Sequence, residues 1–325
     1  MEIRQAQKQA GWDGWLKENN NHHEYLQSWA WGDILLEQGI RAERLQLVEN
    51  IKIVGQAQLA YSNLPFGWKY AFCPKSFSWS RAVLKELVVY LKKQKIVFLR
   101  IEPKEKIECS NCQIKKTIDI NPRATTILNL ENFTEEDLLK KMKSKTRYNI
   151  RLAKRKGVKI KEEKDVNSFY KLSVKTAKRD GFKLHNIERY KAVLNSENSY
   201  QLNAYFENKL IASAIFFSFG DISTYLYGAS DYKHRKLMAP HLLQWEGIKK
   251  AKEKKRKYYD FFGIAPAVGK STKYNYDTKH QYAGVTRFKL GFGGEVVEQP
   301  GTFDIVLDNK KYLVYKVLRK IRRLF

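Results

Sequence analysis

Cysteine is scarce in this chain, with three in 325 residues: Cys73, Cys109 and Cys112. Three cannot build a disulfide scaffold, and the number is odd. Cys109 and Cys112 form a lone C-x-x-C, but structural zinc needs two further ligands at suitable spacing. Nothing in the local pattern puts His22 and His23 in that role, so no metal is expected. This thiol usage points to a reducing, cytoplasmic compartment. Long apolar runs are missing too. A run such as IASAIFFSF (211–219) is far too short to span a bilayer and reads as a buried strand. The start, MEIRQAQKQAGWDGW, lacks the apolar stretch of a secretory signal. A protein soluble in the cytoplasm, or peripheral to the inner face of the membrane, is expected.

Acidic residues are the third shortage: 34 against 61 lysines and arginines, a formal net charge of +27. A lysine-rich proteome would raise glutamate alongside lysine, and here the acids lag. The excess points to a polyanionic partner: RNA, nucleotide phosphates or an anionic membrane face. Hydrophobic residues make up 43% and aromatics 13%, which excludes wholesale disorder, and the length suits two domains.

Two stretches share an order of elements. The first runs through 48–62, 68–76, 81–94 and 95–103; the second through 206–220, 222–231, 239–256 and 257–266. Each opens with a Glu-Asn turn between β-rich runs, which predicts a hairpin, and continues strand, amphipathic helix, strand. Leu84, Leu87, Val88 and Leu91 have helical spacing, as do Leu242, Leu243, Trp245 and Ile248. The repeated order predicts two similar α/β modules, of the strand–strand–helix–strand kind that the GNAT acyltransferase fold uses. Between them, 133–160 reads as a basic helical stretch with Thr134 as N-cap and Gly157 as C-cap. Helices near 165–180 and 186–195 follow, parted at Asp180-Gly181. The tail, KKYLVYKVLRKIRRLF, reads as a basic amphipathic helix. It has Leu313, Val317, Ile321 and Leu324 on one side and Arg319, Lys320, Arg322 and Arg323 off it. Packing onto the first module is its expected use, with contact to anionic lipid as the alternative.

A coenzyme A site is disfavoured. Such domains cradle pyrophosphate on backbone N–H groups of a glycine-rich loop at a helix N-terminus. The second copy has Arg235-Lys-Leu-Met238-Ala-Pro240 there: a side chain in place of the first glycine, and a proline without an N–H. The first copy has only KSFSWSRAV before its helix. No cofactor is expected, and the activated acyl group must arrive on another carrier.

Several segments, in order, resemble the Fem family (FemABX), transferases that build peptidoglycan interpeptide bridges from aminoacyl-tRNA. They are QSWAWGDILLEQG (27–39), FLRIEP (98–103), SKTRYNIRLAKRKGV (144–158), RDGFKLHNIERY (179–190), the stretch 225–254, YDFFGI (259–264) and GVTRFKLGFGGE (284–295). The resemblance implies an α/β (α+β) fold of two tandem GNAT-like domains without a long helical hairpin arm. It gives 1–130 completed by 297–325 as the first domain and 131–296 as the second. It implies transfer of an amino acid from aminoacyl-tRNA to the stem-peptide amine of a precursor, lipid II or UDP-MurNAc-pentapeptide; a monomer is expected, although no residue pattern fixes the oligomeric state.

By the same resemblance, Lys289 neutralises the oxyanion or holds the tRNA 3′ end, and Phe288 shapes its pocket. Glu102 orients or deprotonates the attacking amine, with Arg100 on the same strand face; an Arg–Glu pair capping the strand is the structural alternative. Tyr225 and Tyr227 alternate on a strand, so one shared face is expected, lining the precursor channel or packing on the sheet. In the first motif the armless members of the family have a lysine shortly after the tryptophan matched by Trp31, to hold the precursor's diphosphate, where this chain has Leu35. His185, Arg189 and Tyr190 stand where a partner arginine and tyrosine are expected, and can rebuild that grip. Lys143, Lys145, Arg147 and Arg151 are the candidate tRNA contacts, with Tyr148 placed to stack and the run 249–257 as a second basic surface. The rival readings are a tRNA-dependent transferase acting on protein N-termini and an RNA-binding protein without chemistry.

Overall fold

The computed structural model describes residues 1–19, 24–76, 79–105, 107, 112–269 and 274–321. His22, His23, Cys109 and the tail residues Arg322, Arg323 and Leu324 lie outside them. The chain divides into two compact units, Met1–Arg123 with Gln299–Phe325, and Ala124–Glu298.

In chain order the first unit supplies β1 (Glu2–Gln5), α1 (Gln9–Glu18), α2 (Trp29–Glu37), β2 (Ala42–Glu49), β3 (Lys52–Asn63), β4 (Lys69–Ser76), α3 (Arg81–Lys93), β5 (Phe98–Pro103) and β6 (Gln113–Lys116). The second supplies β7 (Ala124–Asn129), α4 (Glu135–Lys141), α5 (Ser144–Arg155), β8 (Lys159–Glu162), α6 (Val166–Asp180), α7 (Ile187–Asn195), β9 (Ser199–Phe206), β10 (Lys209–Phe219), β11 (Ile222–Ser230), α8 (Ala239–Glu253), β12 (Tyr258–Asp260), α9 (Ala283–Lys289) and β13 (Glu295–Glu298). The chain then returns to the first unit for β14 (Phe303–Val306) and α10 (Asn309–Ile321). The sequence border at 130/131 falls after β7, a strand of the second sheet.

Each unit is built on one seven-stranded sheet, ordered β1-β2-β3-β4-β5-β14-β6 and β13-β7-β12-β11-β10-β9-β8. The repeat read from the sequence is present in three dimensions. Each copy has an antiparallel hairpin (β2–β3, β9–β10), a further antiparallel strand, a helix, and a strand parallel to the one before the helix (β4–β5, β11–β12). The Glu-Asn turns use left-handed backbone, at Asn50 and Ile51 in one copy and at Glu207 and Asn208 in the other, as tight hairpins require. In the crossover helices, Leu84, Leu87, Val88 and Leu91 of α3 and Leu242, Leu243, Trp245 and Ile248 of α8 are all buried. The two cores are therefore built alike.

The basic stretch is two helices rather than one. Thr134 caps α4 in a reciprocal capping box with Asp137, and Gly157 takes the left-handed turn. The break falls at Met142-Lys143, where both residues are extended. There Lys143 N–H donates to Gly291 O at 2.9 Å, and the Arg147 guanidinium donates to the Met142 carbonyl at the end of α4. Tertiary bonding replaces the intrahelical bonds that a continuous helix would keep.

The helix α10 packs on the first unit, but with the other side from the one its aliphatic spacing suggests. Tyr312 and Tyr315 close on Phe98, with ring centroids 5.3 and 4.9 Å away, while Leu313 and Val317 stay exposed. The cause is a buried ion pair. Arg100 on β5 meets Asp304 on the neighbouring β14 side-on, Nε to Oδ1 at 2.7 Å and Nη2 to Oδ2 at 2.9 Å. The Tyr312 hydroxyl donates to Asp304 Oδ2 at 3.0 Å, and Arg100 Nη2 donates to the Tyr315 hydroxyl at 3.2 Å. Leucines could not satisfy those atoms. Asp304→Ala leaves a buried guanidinium unpaired and is expected to cost about 3–5 kcal/mol, measured by urea unfolding; Arg100→Met/Asp304→Leu recovers most of that loss.

Candidate active site

Lys289, the last residue of α9, is 6% exposed. The helix is pinned through Thr286, whose hydroxyl accepts from Ala265 N–H at 2.8 Å and donates to Tyr282 O at 2.7 Å. After β12 the chain turns at Phe262, in the left-handed region, with Phe262 N–H on Asp260 Oδ1 at 2.7 Å. That turn aims two carbonyls at one point. Lys289 Nζ donates to Phe262 O at 2.6 Å and Gly263 O at 2.8 Å, and lies 5.5 Å from the centre of the Tyr225 ring. Burial pulls the Lys289 pKa down to about 7, with Asp260 opposing. Protonated, the amine keeps one N–H beyond the two carbonyls; neutral, it keeps a lone pair.

Tyr225 and Tyr227 do not share a face. A β-bulge at Leu226 sets Tyr225 opposite Phe216 and Tyr227 opposite Ile215, adjacent residues of β10 that point to opposite sides. Tyr225 turns to the α8 side, against Phe216 and Gln244, and its hydroxyl leans over Gly228. A Cβ there would lie 1.7 Å from that oxygen. Gln244 also accepts the Tyr259 hydroxyl at 2.6 Å, which locks it.

Tyr227 turns to the α7 side and joins residues that the sequence grouped. Its ring is 4.9 Å from Tyr190 and 5.9 Å from His185, and its hydroxyl accepts from Arg189 Nε at 3.4 Å. Burial and the Arg189 charge hold the His185 pKa below its ordinary value, so the imidazole is a neutral donor or acceptor near pH 7. The cluster joins one cation, two phenols and an imidazole at one helix start.

Where a coenzyme-binding relative would have a glycine loop, Met238 itself takes the left-handed conformation (φ 55°) before α8. The backbone bend is kept, but a half-buried side chain and Pro240 occupy the place of free N–H groups.

The FemAB family model matches residues 108–207 and 196–320, well over half of the sequence. The chain belongs to the FemAB family. It is 23% identical to the lipid II:glycine glycyltransferase of Staphylococcus epidermidis, over 96% of this chain and 94% of that protein. The crystal structure of FemX superposes with a TM-score of 0.78 at 18% identity, over 97% of this chain and 99% of that one. A tandem GNAT protein from the clavulanic acid biosynthesis pathway superposes with a TM-score of 0.50 at 11% identity, over 82% and 83%. The two-module GNAT-like fold expected from the sequence is thus the fold found.

The other residues singled out by the FemAB resemblance fall in several settings. Glu102 is 2% exposed, and its carboxylate accepts Asn121 N–H at 2.7 Å, Asn121 Nδ2 at 2.8 Å and the Thr302 hydroxyl at 3.1 Å. It fastens Asn121 and Thr302 to the end of β5. Arg100 is held by Asp304 rather than by Glu102, so the strand-capping Arg100–Glu102 pair is not formed. Trp31 is buried edge-on against Tyr25 at 4.8 Å, and Leu35 is buried beside it in α2. Lys143, Lys145, Tyr148 and Arg151 are exposed, whereas Arg147 is turned inward to cap α4. With Lys140, Lys154 and Trp245, Arg147 and Arg151 line a groove of about 410 Å³ between α4, α5 and α8. No helix among the described residues is long and apolar enough to cross a membrane.

One residue, His241, has no place in the sequence reading. His241 on α8 meets Asn149 of α5 at 3.1 Å and stacks edge-on to Phe288 at 4.9 Å. Burial, with Lys145 nearby, lowers its pKa to about 4, so it is neutral. The one available signal is its place directly after Pro240, at the end of the segment that replaces the glycine cradle. Phe288 is thereby wedged between His241 and Phe292, which positions the neighbouring Lys289.

Two measurements check this geometry. Because Lys289 titrates near 7 when folded and near 10.5 when free, the unfolded chain binds the extra proton between those values, and stability rises with pH across that window. The difference in unfolding free energy between wild type and Lys289→Met is expected to shift toward the wild type by roughly 2–4 kcal/mol from pH 7 to 10. A flat difference would mean the amine is solvated. Gly228→Ala is expected to displace Tyr225 and to cost about 1–3 kcal/mol in thermal or urea unfolding.

Proposed function

We propose that this FemAB chain is an aminoacyltransferase that moves an amino acid from aminoacyl-tRNA to the stem-peptide amine of a peptidoglycan precursor, working at the cytoplasmic face of the membrane. The observation that carries the reading is Lys289: a buried amine held by two carbonyls beside Phe288 and Tyr225, with one proton to spare when charged. The acceptor's neutral amine attacks the ester carbonyl; the C–N bond forms, and the carbonyl oxygen becomes an oxyanion. Lys289 donates its third N–H to that oxygen. The C–O bond to the ribose then breaks, and the released hydroxyl takes the proton given up by the attacking nitrogen.

The exposed cations Lys143, Lys145 and Arg151, with Tyr148, suit a tRNA acceptor stem through phosphate contact and stacking. Arg189, His185 and Tyr227 suit a diphosphate and replace the lysine that Leu35 displaces. The name of the S. epidermidis relative favours the lipid-linked precursor as acceptor.

The test is mass spectrometry of lipid-linked and UDP-linked precursors after incubation with a mixed aminoacyl-tRNA pool. A mass gain of one amino acid on the stem peptide is expected. Labelling only a peptide with a basic N-terminus would reject the cell-wall acceptor. In the active assay, Lys289→Met is expected to lower kcat by about 10²–10³-fold. The wild-type rate should fall as pH rises through about 7, where Lys289 loses its proton. Persistence of that descending limb in Lys289→Met would assign it to another group.

A further inference from the structure

The side of α10 that does not face its sheet is aliphatic, cationic and uncovered. Tyr312, Tyr315 and Arg319 are spent inward, the last donating from Nη1 to the Thr117 hydroxyl at 3.1 Å. Outward stand Leu313, Val314, Val317 and Ile321, 67, 40, 51 and 47% exposed, three of them one helical turn apart. Beside Val317 a groove of about 580 Å³ is walled by Ile118, Lys116, Lys316 and Lys320. The helix carries no acidic residue at all, and Ile118 is itself 47% exposed.

The combination narrows the partner. Water alone is a poor neighbour for such a stripe, which calls for an apolar surface. The lysine flank calls for a negative one and argues against a second copy, which would bring like charges together. The boundary between phosphate headgroups and acyl chains offers both. We propose that the outer face of α10 docks the protein on an anionic phospholipid bilayer, with Leu313, Val317 and Ile321 at the acyl boundary and Lys316 and Lys320 on lipid phosphates. The inference requires no transfer chemistry and stands or falls apart from it.

Co-sedimentation of the full chain with vesicles tests it, using phosphatidylcholine alone and phosphatidylcholine with about one-third phosphatidylglycerol. Binding is expected only to the second. Leu313→Ser/Val317→Ser/Ile321→Ser keeps every charge and is expected to weaken partitioning roughly tenfold or more. Lys316→Glu/Lys320→Glu should weaken it about fivefold or more for each cation reversed. Because the net charge of +27 alone attracts anionic vesicles, unchanged binding of the triple variant would overturn the proposal. So would a wild-type dimer that the triple variant turns into a monomer, which would give the stripe to a second copy. Should the triple variant lose its cooperative melt, a polarity-sensitive dye on Val317→Cys decides. A blue shift with phosphatidylglycerol vesicles supports docking, and none refutes it.

Discussion

One extra residue in one strand decides which side-chain clusters the second unit builds. At Leu226 the ladder between β10 and β11 slips by a position, and every side chain after it changes sides. Tyr225 is thereby sent to the face of α8 and α9, and Tyr227 to the face of α7. A regular strand would have stacked both phenols on one surface. The slip sets two clusters back to back on one sheet, Tyr225 beside a buried amine on one side and a cationic phenol cluster on the other. Gly228 is part of the same device, since the Tyr225 hydroxyl occupies the volume a larger residue would need.

Burying an amine is expensive, and the surroundings of Lys289 are arranged to limit the cost without fixing its protonation. Two carbonyl dipoles, rather than a carboxylate, receive its protons. A close carboxylate would hold the ammonium permanently charged and draw it away from a substrate. The carbonyls accept from either form. Asp260 instead spends an oxygen on the Phe262 amide and so builds the turn that supplies those carbonyls. The acid thus acts through backbone shape more than through charge.

What was legible in the sequence was local. Turn chemistry, helical spacing and capping are set within a few residues, and they located both hairpins, α3, α8, the Thr134 cap and the tandem repeat. Family membership was legible because many moderate motifs occurred in order. The failures involve partners far apart in the chain. Arg100 and Asp304 are 204 positions apart, and their pairing decides which side of α10 is inward. Aliphatic spacing favoured Leu313 and Val317, because it gives no weight to the hydroxyls that Tyr312 and Tyr315 bring to a buried charge. The acid at the end of β5 carries no sign in the sequence of its partners Asn121 and Thr302, the latter 200 positions away. A bulge leaves no mark in periodicity, so the alternation of Tyr225 and Tyr227 was read in the wrong register. His241 was passed over because a lone histidine on a helix carries no pattern.

The return of β14 to the first sheet has a consequence for biosynthesis. As the nascent chain leaves the ribosome, β1 to β6 emerge early, yet the strand that belongs between β5 and β6 is made only after the whole second unit. Until then Arg100 has no counter-ion and two strands have open edges, so the first module is held incomplete while the later one can close on itself. The second sheet has all its strands before the first does, and a chain truncated before Phe303 would leave Arg100 without its counter-ion and β5 and β6 with open edges.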